Sequence, residues 1–176
     1  MLINLREVAE VRAVEIPYTP REIDFHIEQG TDGNSLTNIT NTKGELIARI
    51  NLIAPDLLLE HRWNWNTVAA TRENVLQTWS FSPGSPALKR DAEQALKPRV
   101  HREFDAAVKA MALSKDAVHL AVATMRQLYV LHLGGIDIIV AADTDVKEEI
   151  ESLKFTGNNR LLVKQGENTR ILEMQR

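Results

Sequence analysis

The chain has 176 residues, 44% apolar and 26% charged, with a formal net charge of −3, a length that buries a core without a metal or disulfide staple. It has no cysteine, which excludes disulfides, cysteine nucleophiles and thiolate metal sites together. No signal-type apolar segment follows Arg6, Glu7 and Glu10, and no apolar run approaches the ~18 residues of a membrane span. The expectation is one compact domain over residues 1–176, without a membrane partner, in the cytoplasm or another intracellular compartment.

Residues 2–10 repeat apolar side chains at Leu2, Leu5 and Val8, which fits a helical turn or an edge strand. Val11–Ile16 alternates as a strand, and Pro17 and Pro20 then restrict the backbone. Glu22–Glu28 alternates again, with Ile23, Phe25 and Ile27 on one face. Beyond the turn at Gly30–Asn34, Leu36–Thr40 and Glu45–Ile53 read as two more strands, so the N-terminal third predicts an antiparallel sheet.

Pro55 predicts a turn of helix over Asp56–Glu60, followed by the unusual run His61-Arg62-Trp63-Asn64-Trp65-Asn66. Asn66 or Thr67 is placed to cap a helix with Val68, Val75, Leu76 and Trp79 on its apolar side. Ser85-Pro86 carries the N-cap and first-position signals of a long helix, with a kink expected near Leu96 because of Pro98. After it, Val100, Phe104, Ala107, Val108 and Met111 form an apolar stripe. Ser114 predicts the start of a second helix, running through Val118, Val122, Met125 and Tyr129 to a stop at Gly134-Gly135.

Ile136–Ala142 reads as a strand covered on both faces. Asp145 and Glu148 have capping-box spacing ahead of a short helix with Val146, Ile150 and Leu153 inward. Turns at Gly157–Asn159 and Gly166–Asn168 then separate strands at Leu161–Lys164 and Thr169–Met174. The predicted fold class is α+β: an N-terminal antiparallel sheet, central helices including a helical hairpin, and a C-terminal strand–helix–hairpin unit.

Four groups of residues are candidates for function. His101 and Asp105 have the i,i+4 spacing of a helical metal grip or a carboxylate-oriented base, with His61, His119 and His132 as the imidazoles that would join them. A solvated local ion pair explains the same spacing. Asp137, Asp143 and Asp145 flank the apolar strand but are explained as turn and cap residues, as Ser82, Ser85 and Ser114 are. Lys89, Arg90, Lys97, Arg99 and Arg102 form a basic cluster, and on a helix Arg99 and Arg102 project together as an anion-binding pair. Trp63, Trp65, Trp79 and Phe81 concentrate aromatic area in a chain with 5% aromatics, which suits an interface as well as a core.

The expectation that follows is a non-catalytic structural or interaction protein acting as a self-assembling subunit, a homo-oligomer or the partner of another protein, with no cofactor and no metal. The alternatives are a hydrolase or phosphoesterase built on His61, His101 and Asp105, and an anion or nucleic-acid binding module using Arg99 and Arg102, which the acidic net charge disfavours.

Overall fold

A computed structural model describes residues 4–8, 25–28, 36–41, 44, 46–52, 56–61, 66–81, 96–133, 141–143, 148–157 and 159–175. The described residues contain no α-helix, and their regular structure is antiparallel sheet. The chain divides into two compact units: residues 1–17 with 104–176, and residues 18–103. The first strand, β1 (Asn4–Val8), belongs to the unit that holds the C-terminus.

In the unit of residues 18–103, β2 (Phe25–Glu28), β3 (Leu36–Asn41) and β4 (Leu46–Asn51) form one meander in sequence order. These strands lie where the period-two alternation places them. A second sheet runs in the order β5 (Leu57–His61), β6 (Asn66–Arg72), β7 (Val75–Phe81) and β8 (Val100–Glu103). Both the helical turn expected over Asp56–Glu60 and the helix expected from Asn66 to Trp79 are overturned by this sheet. Arg72 pairs with Val75 across the two-residue loop Glu73-Asn74, so the break in the apolar pattern at Arg72 and Glu73 is a hairpin tip. Glu73 takes a φ of +53°, unusual for a side chain of its size. Its amide N–H donates to the Asp56 carboxylate, while the Asp56 amide donates to the Thr71 carbonyl at 2.7 Å. Asp56 thus clamps the tip from the start of β5.

The other unit contains β9 (Val108–Leu113), β10 (His119–Thr124), β11 (Leu128–His132) and β12 (Ala141–Asp143), followed by β13 (Ser152–Phe155), β14 (Arg160–Gln165) and β15 (Asn168–Gln175). Its sheets have the orders β12-β11-β10-β9 and β1-β15-β14-β13. The expected helices over Val100–Met111 and Ser114–Tyr129 are therefore strands and hairpin turns. Residues 148–151 are irregular and lead into β13, which corrects the helix expected around Ile150 and Leu153. The helix expected from Ser85, the Gly134-Gly135 stop and the strand expected over Val11–Ile16 lie outside the described residues.

For β10 and β11 the departure from the expected helix has a visible cause. β10 buries Leu120, Ala121, Val122 and Ala123 completely, and β11 does the same with Leu128, Val130 and Leu131. A strand covered on both faces shows a continuous apolar run in place of alternation, and in an alanine-rich segment that run satisfies a helical template as well. One face is set by register: Ala121 lies opposite Ala112 and Val130, and Ala123 opposite Ala110 and Leu128. This row packs against Ile150, just ahead of β13, and against Leu153, Leu161, Val163, Leu172 and Met174 of the neighbouring sheet, with half-buried Leu5 of β1 joining them. Alanines on one side and branched chains on the other let the two sheets interdigitate.

Hydroxyl groups organise both turns around β10. Ser114, fully buried, donates to Asp116 Oδ1 at 2.6 Å and accepts the His119 amide at 2.9 Å. Asp116 Oδ1 also accepts the Val118 amide at 3.1 Å, and Ala117 is held at a φ of +56°. At the other end Thr124 Oγ1 accepts the Gln127 amide at 3.1 Å and tightens the loop at Met125-Arg126. The physics assigned to Ser114 as a helix cap is retained: a short hydroxyl pairs an orphan backbone donor, here in a hairpin.

Three outcomes are expected. Ser114→Ala removes both bonds at a site without water access and should destabilise the unit by about 1–3 kcal/mol in urea unfolding. Trp79→Ala, in the core of the other unit, should cost about 3–5 kcal/mol, an effect below 1 kcal/mol being incompatible with its packing. A chain lacking residues 1–8 should show faster amide hydrogen exchange along β15, because the deletion turns that strand into an open edge.

Candidate functional site

A surface groove lies in the unit of residues 18–103. Its volume is about 540 Å³, and it is lined by Asn51, Arg72, Glu73, Val75, Gln77, Leu96, Lys97 and Pro98. Period-two geometry puts Val75 and Gln77 on the same face of β7, the hairpin tip contributes Arg72 and Glu73, and the end of β4 contributes Asn51.

The remaining wall is residues 96–98, ahead of β8. Leu96 forms an isolated parallel bridge with Ile50, its amide donating to the Arg49 carbonyl at 2.7 Å. Its own carbonyl accepts Trp79 Nε1–H at 3.2 Å, and the Arg99 amide donates to the Thr78 carbonyl at 2.7 Å. Both ends of the segment are thus fixed to neighbouring strands. Pro98 has no amide to satisfy and a preset φ, which suits it to a short irregular link. The kink expected inside a helix is an extended lead-in to a strand.

Trp79 is 1% exposed and packs with Ala48, Ile50, Leu52, Val68 and Ala70. Phe81 ends β7 opposite Asn66, and His61 ends β5 opposite Thr67. Trp63 and Trp65 lie outside the described residues, as do the side chains of His61 and Phe81. His101 is exposed on β8, with Nδ1 3.2 Å from Gln77 Nε2. Asp105 is also exposed and accepts the Tyr129 hydroxyl at 3.2 Å. The helical spacing that would join His101 to Asp105 does not exist, because β8 ends at Glu103. Arg99 is exposed and Arg102 half-buried at the other end of β8, and the helix that would align them is replaced by extended chain. Among the described residues no group of three or more His, Asp or Glu side chains is arranged to hold a metal ion.

The groove offers the guanidinium of Arg72 and the ammonium of Lys97 against the one carboxylate of Glu73. Amide side chains of Asn51 and Gln77 and the apolar surface of Val75, Leu96 and Pro98 complete it. Apolar area beside a charged rim is the anatomy of a protein-recognition surface. In the sequence Lys97 belongs to the basic cluster, whereas Arg72 falls inside the span from Asn66 to Trp79 expected to be a helix. Neither residue carries a local signal that it shares a groove with the other.

No protein-family model matches the chain, and no curated protein matches it in sequence. Solved structures do. The β-propeller domain of Cps50 (Swd1) from Myceliophteria thermophila superposes with a TM-score of 0.58 at 18% identity, over 81% of this chain and 48% of that one. The C-terminal WD40 domain of Sif2 gives a TM-score of 0.58 at 16% identity, over 86% of this chain and 43% of that one. The chain thus spans about half the length of the propeller structures it matches. Together with the four antiparallel sheets, this likeness shows the fold: β-propeller architecture, in place of α+β.

Proposed function

We propose that this chain is a non-catalytic protein-interaction module, and that its groove receives an extended, acidic segment of another protein. The carrying observation is the groove's composition: two cations to one carboxylate, over apolar surface supplied by Val75, Leu96 and Pro98. An extended segment with alternating acidic and apolar side chains matches both features, because alternate residues of a strand-like peptide face floor and rim. The propeller likeness supports a scaffold role by analogy of fold. Self-assembly is the competing version of the same reading, in which the segment comes from a second copy.

The test is fluorescence anisotropy with labelled peptides of identical apolar content and opposite charge, alongside sedimentation of the chain alone. The acidic peptide should bind, and Arg72→Glu with Lys97→Glu should weaken it at least about tenfold while leaving the fold intact. Equal binding of acidic and basic peptides, or no effect of the double reversal, overturns the groove assignment. A concentration-dependent dimer abolished by the same reversal assigns the groove to a second copy.

A further inference from the structure

The sheet formed by β9–β12 carries a second arrangement, independent of the groove. His119 at the start of β10 lies directly opposite His132 at the end of β11. The two imidazoles meet edge to face with ring centroids 5.4 Å apart and planes at 74°. Backbone bonding fixes the kind of pair. The Leu133 amide donates to the Val118 carbonyl at 2.7 Å, while the His119 carbonyl accepts the Ser114 amide at 2.8 Å on the β9 side. His119 and His132 therefore form a non-hydrogen-bonded pair, the closer of the two antiparallel types, with Cα atoms about 4.5 Å apart. Both rings are half-buried, so they are rigidly based and still reached by solvent.

We propose that His119 and His132 form a two-imidazole site for an exchangeable borderline divalent cation, Zn²⁺, Ni²⁺ or Cu²⁺. Two imidazoles sharing one tetrahedral ion at about 2.0–2.1 Å per nitrogen place their ring centroids roughly 5 Å apart, close to the spacing already present. Loading the site therefore needs ring rotation and no strand movement. The next cross-strand pair, Leu120 with Leu131, is fully buried and holds the register. The Ser114–Asp116 turn also holds the His119 backbone, through the amide bond to Ser114 Oγ.

The ligand set decides the cation class and the lability. Neutral imidazole nitrogen suits Zn²⁺, Ni²⁺ and Cu²⁺ and discriminates against Mg²⁺ and Ca²⁺, which take oxygen donors. Among the described residues no third His, Asp or Glu joins the pair, so it differs from the closed four-ligand sites that stabilise small folds.

The test is calorimetric titration of Ni²⁺ and Zn²⁺ into the full chain and into His119→Gln, His132→Gln and His101→Gln variants. One ion per chain is expected. Each of the first two substitutions should weaken binding at least about tenfold, and His101→Gln should leave it unchanged. Metal should also raise the thermal midpoint of the parent and leave the His119→Gln and His132→Gln midpoints where they are. Electron paramagnetic resonance of the Cu²⁺-loaded parent gives an independent reading if a variant fails to fold: hyperfine splitting from two nitrogens supports the site, and splitting from one or none overturns it. Absence of stoichiometric binding, or binding indifferent to His119 and His132, also overturns it.

Discussion

The unit that holds both ends of the chain depends on the ladder between β1 and β15. Five residue pairs, from Asn4 with Gln175 to Val8 with Ile171, make the first strand of the chain the outer strand of its last sheet. Without it β15 is an open edge and Leu5 is withdrawn from the core it shares with Leu172 and Met174. In an unfolded chain, closing a loop of this length has a length-dependent entropy term of about 4–5 kcal/mol. The pairing is the most non-local in the fold, which favours docking of β1 onto a sheet already formed from β13, β14 and β15. Arg6 and Glu7 face solvent on β1, and charged side chains on an outer strand discourage pairing with a second molecule.

What the sequence reveals of this fold divides according to how each strand is covered. β14 shows it best: Leu161 and Val163 are buried while Lys164 is exposed, and the alternation is visible in the residues themselves. The turn at Gly166-Glu167 that joins it to β15 is equally visible, since Gly166 adopts a φ of +55°. β10 and β11 hide their period because both faces are buried, and the alanines of β9 and β10 carry high helix propensity. Ser114 then completes the illusion, because the hydroxyl chemistry that caps a helix also closes a hairpin. Composition favours helix there, and tertiary packing overrides it.

The candidate sites follow the same division. The pairing of His101 with Asp105 rests on helical spacing, and the chain there is strand β8 followed by a bend. The groove is built from residues at 51, 72–77 and 96–98, which come together only through the β6–β7 hairpin and the Ile50–Leu96 bridge. His119 and His132 are visible as two of five histidines. Only strand register shows that thirteen residues of separation become an edge-to-face contact.

The groove and the core are physically coupled through one side chain. Trp79 is enclosed by Ile50, Val68 and Ala70, yet its indole N–H reaches outward to the Leu96 carbonyl, which belongs to the groove wall. A buried indole needs a partner for that donor, and a wall segment with little regular structure needs an anchor. The bond at 3.2 Å meets both requirements. With Arg49 and Thr78 carbonyls taking the amides of Leu96 and Arg99, the segment carrying Lys97 and Pro98 is ordered before any partner arrives. Under the proposed function, binding would avoid the entropic cost of ordering that wall, leaving the ionic and apolar contacts of the incoming segment to determine affinity.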